Sequence, residues 1–164
     1  MFLHNGQRYY VTTTRFNEET YEQNQQYKRK IHFEGAMYGT PMLIASTVPR
    51  LSKCIVIEML NLPKKHKDYP GKIVGIGMIV NRIQDRRFNI YNDKNYNRYT
   101  YTGKYFLNRS ELLERDSDMI ETIENCIFKG KGHLKRAQGI TKVPSSFMTR
   151  VPEVGTKLLS LFDI

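Results

Sequence analysis

The 164-residue chain contains no tryptophan and only two cysteines, Cys54 and Cys126. Two thiols in apolar surroundings cannot build a disulfide-dense scaffold, and they point to a reduced, intracellular protein. Acidic residues are also scarce, 16 against 26 basic ones, so the formal net charge is +10. Long apolar runs are missing as well. The longest uncharged stretch, Gly35 to Pro49, is interrupted by Gly39 and Pro41 and is too short to span a bilayer. The N-terminal MFLHNGQR lacks the apolar core of a secretory signal. His4, His32, His66 and His133 show no zinc-ligand spacing with the cysteines, so neither metal nor other cofactor is expected. No serine sits in a nucleophile-elbow pattern and no Cys-His pair stands at a telling spacing, which places enzymes behind binding modules. What remains is an average hydrophobic content of 40% and 26% charge, the profile of one folded domain over 1–164.

The positive charge is segregated. Residues 63–109 carry 11 basic against 3 acidic side chains, residues 110–128 carry 1 against 6, and residues 129–164 carry 7 against 2. From Glu124 to Glu153 no carboxylate interrupts Lys129, Lys131, Lys135, Arg136, Lys142 and Arg150, which defines a basic C-terminal segment over 129–150. Lysines supply point charges, Arg136 can grip a phosphate with two donors, and the intervening glycines allow close approach to the backbone. Aromatic residues interleave with the basic ones, as stacking on bases requires. Nucleic acid, RNA before DNA, is therefore the favoured partner.

Arg8–Thr14, Lys53–Leu60 and Lys72–Val80 read as strands, as do Phe88–Tyr91 and Arg98–Leu107. Asn17 is placed to cap a helix running to Lys30, and Asp118 with Glu121 has capping-box spacing for a helix to Phe128. In Lys72–Val80, alternation groups Ile73, Gly75, Gly77 and Ile79 on one face, where the glycines admit a close neighbour. Strands and helices in this order make an α+β fold.

The succession YYVTTTRFNEE, MYGTP, KCIVIEMLN, GKIVGIGMIV and YTGKYFLN, spanning Arg8 to Arg109, resembles the YTH domain of the PUA-like group, which includes the EVE and ASCH domains. The resemblance implies a curved, barrel-like sheet flanked by helices and a pocket for N6-methyladenosine. It also implies a cage of three aromatic residues, usually tryptophans. The MYGTP segment places Tyr38 at the first cage position, and YNRYTYTGKY places Tyr96 and Tyr101, five residues apart, at the other two. Gly39, Thr40 and Asn17 are further base-binding candidates, with phosphates falling to Arg98, Lys104, Lys129, Lys131, Lys135 and Arg136. With tyrosine in place of tryptophan the stacking faces are smaller. An ASCH-like hydrolase using Glu58 and a lysine, and a packaging protein that reads no base, are the alternatives.

Overall fold

The computed structural model describes residues 1–164. Its elements, in chain order, are β1 (Phe2–His4), β2 (Gln7–Phe16), α1 (Glu18–Lys30), β3 (Ala36–Thr40), β4 (Lys53–Asn61), β5 (Gly71–Val80), β6 (Tyr99–Gly103), β7 (Phe106–Asn108), α2 (Arg109–Phe128), β8 (Thr141–Lys142), α3 (Ser145–Arg150) and α4 (Val154–Ser160). The fold is α+β with two sheets. Five strands of the larger run in the order β1-β2-β4-β5-β7, with β8 paired to β2, while β3 and β6 form a separate antiparallel pair. The sheet is mixed because β2 and β4 are parallel while the other pairings are antiparallel. β1 and β7 do not pair, so no barrel closes.

The sheet has apolar residues on both faces, as the continuous runs in β4 and β5 require. One face carries Ile55, Ile57, Ile76 and Met78 against α2 and the C-terminal helices, through Ile120, Ile123, Phe147 and Leu158. The other carries Cys54, Val56, Val74 and Ile79 against the β3–β6 pair, including Tyr38 and Tyr101. Helix α1 lies on this second side, with Tyr21, Tyr27 and Ile31 half-buried.

Four local expectations are corrected by the structure. Phe88–Tyr91 is not a strand, because Asn97 replaces a neighbouring strand as hydrogen-bond partner: its side chain accepts from Tyr91 N at 2.9 Å and donates to Tyr91 O at 2.7 Å. The stretch 98–107 is divided into β6 and β7, which join different sheets. Helix α2 begins ten residues earlier than the Asp118 cap implied, at Asn108, whose side chain forms a reciprocal capping box with Glu111. It breaks at Asp116 (φ −163°, ψ 81°), whose carboxylate accepts from Met119 N at 3.1 Å. Finally, β5 slips by one residue where Glu58 pairs with Gly75 but Met59 with Ile73. This bulge sends Ile73 to the face of Ile76 and Met78, and Val74 to the opposite one.

The two glycines of β5 meet close neighbours, as their pattern suggested. A Cβ at Gly77 would lie 2.3 Å from the Tyr38 hydroxyl, and one at Gly75 would lie 2.7 Å from the Phe106 ring.

Candidate nucleic-acid interface

β2 ends in Phe16, and Asn17 turns the chain into α1. Its side chain accepts from Thr20 N at 2.8 Å, and Thr20 Oγ1 accepts from Asn17 N at 3.0 Å, a reciprocal cap that fixes the entry of the helix. Beside this junction opens a cavity of about 280 Å³, lined by Thr14 to Asn17, Gly39, Asn61, Tyr91 and Tyr96, with Gln138 and Gly139 at its edge.

Its aromatic wall is built by short-range chemistry. Asp93 caps a 3₁₀ turn over Lys94–Asn97 by accepting from Asn95 N at 2.9 Å. Asn97, buried beneath it, clamps the Tyr91 backbone, and Asn24 of α1 donates to the Tyr91 hydroxyl at 3.1 Å. Tyr96 then meets Tyr91 edge to face, with ring centres 6.2 Å apart. Burial pushes the Tyr91 hydroxyl well above the ordinary tyrosine range, so it stays protonated. Gly39 is required here, because a Cβ would lie 2.5 Å from Tyr96 O and 3.0 Å from the Tyr91 ring.

The basic segment reaches this cavity through its backbone. Lys135 O accepts from Arg15 Nη1 at 3.1 Å and from Asn61 Nδ2 at 2.9 Å. Downstream, β8 pairs with Thr12 and Thr13 of β2. Residues 135–139 are thereby strapped along the cavity edge, with Arg136 exposed and Lys135 half-exposed.

The sequence-derived candidates divide. Asn17, Gly39 and Tyr96 line the cavity, and Tyr96 is 40% exposed. Tyr38 and Tyr101 do not. They face each other across the β3–β6 pair, each 1% exposed. Tyr38 donates to Glu58 Oε2 at 2.6 Å, and the Tyr101 hydroxyl accepts from Ile44 N at 3.0 Å. The expected enclosure by three tyrosines is corrected accordingly: alternation along β3 turns Gly39 to the cavity and Tyr38 to the core. Thr40 is also buried, its hydroxyl donating to Met42 O at 2.7 Å.

The cationic candidates also fall in different places. Lys104 lies beside Tyr105 and Lys53 in another depression, and Lys129 lies beside Glu121 and Glu124 in a third. Arg98 is exposed next to Tyr99, and Lys131 is exposed upstream of the strap. Only Lys135 and Arg136 belong to the strap at the cavity edge. No family model and no curated protein sequence matches the chain.

Tyr91, Asn61, Arg15 and the strap residues Gln138 and Gly139 were missed from sequence. A signal for Tyr91 existed: it precedes Tyr96 by five residues, the same spacing that separates Tyr96 from Tyr101. Glu58, the hydrolase candidate, is 2% exposed and does not line the cavity beside Asn17. Burial raises its carboxyl to about 7, against the opposing pull of the Tyr38 hydrogen bond and of Lys28. No group of three metal-ligating side chains occurs, and no helix is long and apolar enough to cross a membrane.

Proposed function

We propose that this chain binds single-stranded nucleic acid, RNA before DNA, and takes one base of the N6-methyladenine type into the cavity at the end of β2. One observation carries the reading. The tyrosine wall, Tyr91 with Tyr96, lines a base-sized opening whose edge is formed by Gln138 and Gly139, just downstream of Lys135 and Arg136. A flipped base would stack on the exposed Tyr96 ring while its phosphates meet Lys135 and Arg136. Asn17 and Thr14 offer polar groups to the base edge, and Phe16 offers apolar surface to a methyl group.

The order of strands and of the MYGTP and YTGKYFLN segments, similar to YTH domains, supports the same reading. So does the net charge of +10. The hydrolase alternative has less support, since a substrate would have to reach a carboxylate sealed under Tyr38 and the β5 bulge. Titration of matched oligonucleotides, with and without one N6-methyladenine, tests the proposal. The expected result is binding of both strands with a preference for the methylated one that Tyr96→Ala removes. Equal affinity for the two strands would favour a packaging protein, and release of a modified product would favour the hydrolase.

A further inference from the structure

The far end of α1 borders a second cleft. Asn17 and Lys28 are eleven residues apart, about 16 Å along a helix, so the cleft is distinct from the cavity at the N-terminal end. It measures about 600 Å³ and lies between the last turn of α1, the Phe33–Glu34 turn, and the junction of β7 with α2.

Lys28 is its unusual member. The residue is 7% exposed, and it lines the cleft. Its ammonium sits 3.8 Å from the centre of the Phe106 ring. It forms none of the ion pairs of this chain, and no protein atom accepts a hydrogen bond from it. Charged side chains this buried are nearly always paired. Burial pulls the Lys28 ammonium below the usual lysine range, and the buried Glu58 opposes that shift without reaching bonding distance. An acceptor arriving from the cleft would satisfy the ammonium.

The rest of the lining limits what that acceptor can belong to. Glu34 and Glu111 face the same space, so a bare anion would meet two carboxylates as well as Lys28. A cation would meet Lys28, with Arg29 beside it. Phe33 and Phe106 supply apolar wall for a flat body. The complementary ligand is neutral at this edge, planar, and offers an acceptor next to a donor. A 6-oxopurine has that edge: O6 accepts from lysine, and N1–H donates to a carboxylate. Adenine presents an amino donor where the ammonium needs an acceptor.

We propose that this cleft is a second base-binding site, selective for guanine or hypoxanthine, with Lys28 donating to O6 and Glu34 accepting from N1–H. The choice of a nucleobase rests on the nucleic-acid reading above. The base can arrive as a free nucleotide or as part of a strand.

Titrating the protein with guanosine, inosine and adenosine monophosphates tests the assignment. The guanine and hypoxanthine nucleotides should bind at least tenfold more tightly than the adenine one. Lys28→Met should weaken the guanine nucleotide at least tenfold, and Glu34→Gln several-fold, while Tyr96→Ala leaves it unchanged. Because Glu34 is exposed, Glu34→Gln and the wild-type base preference decide the matter even if Lys28→Met fails to fold. A guanine-containing strand that outcompetes an all-adenine strand, with the advantage lost in Glu34→Gln, assigns the strand as the source. Preference for the free nucleotide alone assigns the small molecule. Equal binding of guanine and adenine nucleotides, or guanine affinity unmoved by Glu34→Gln, overturns the proposal. Neither result bears on the methylated-strand preference, which depends on Tyr96.

Discussion

Tyr38 and Tyr96 were assigned the same task from sequence and occupy opposite environments. Tyr38 fills the space over Gly77 and donates to a buried carboxylate, whereas Tyr96 stands on a 3₁₀ turn with its ring open to the cavity. Alanine at the two sites should therefore separate stability from affinity. Tyr38→Ala is expected to destabilise the fold by about 3–5 kcal/mol, the scale for deleting a buried aromatic ring. Tyr96→Ala should leave the melting temperature within a few degrees and cost about 1–3 kcal/mol of binding, the scale of base stacking. Thermal unfolding and affinity measured on the same variants check both. Composition could name these tyrosines but not sort them. In a strand buried on both sides, alternation gives two faces and no sign of which one holds the ligand.

Glu58 gives a second residue-scale prediction. Its folded pKa, about 7, lies above that of an exposed carboxyl because burial penalises the charge. A raised value means that the folded state holds the proton more tightly than the unfolded state. The stabilisation is complete below the unfolded value, near 4.3, and is lost as pH rises through 7. Over that window the loss should be about 3 kcal/mol. Glu58→Gln should flatten the decline in stability between pH 4.5 and 7 when denaturant midpoints are compared. An unchanged slope would mean that Glu58 is ionised and paired throughout.

At the scale of elements, local capping and the strap matter most. Asn17 was legible as a cap because its chemistry is local, and Asn17→Ala should cost about 1 kcal/mol of stability. The α2 start was misplaced because Asn108–Glu111 and Asp118–Glu121 share one spacing, and only the packing of Leu112 under the sheet selects the first. The β5 bulge left no mark in the alternation of Lys72–Val80, since apolar residues lie on both sides of it. The strap was visible as charge but not as structure: what holds it is the Lys135 carbonyl, which carries no sequence signal. Lys135→Ala combined with Arg136→Ala should weaken methylated and unmethylated strands equally, because phosphate contacts carry no base information. Loss confined to one strand would move these residues into the base site.

For the whole molecule, the charge pattern and the α+β succession were readable, whereas closure was not. A barrel needs its end strands to pair, and pairing between distant edges depends on curvature that no local pattern encodes. Folding partly undoes the separation of charge: Glu124 of α2 pairs with Arg109 at 2.9 Å, and Lys72 and Lys129 share a depression with Glu121 and Glu124. Binding should weaken with salt, with a log–log slope of about −1.4 for the two phosphate contacts of Lys135 and Arg136 on a single strand. The most direct test of the base-reading claim is the ratio of affinities for one RNA strand with and without a single N6-methyladenine, measured on the wild type and on Tyr96→Ala. The expected result is a clear preference for the methylated strand in the wild type and a ratio near one in the variant, with the variant still folded. A ratio of one in the wild type, or a preference that survives Tyr96→Ala, would contradict it.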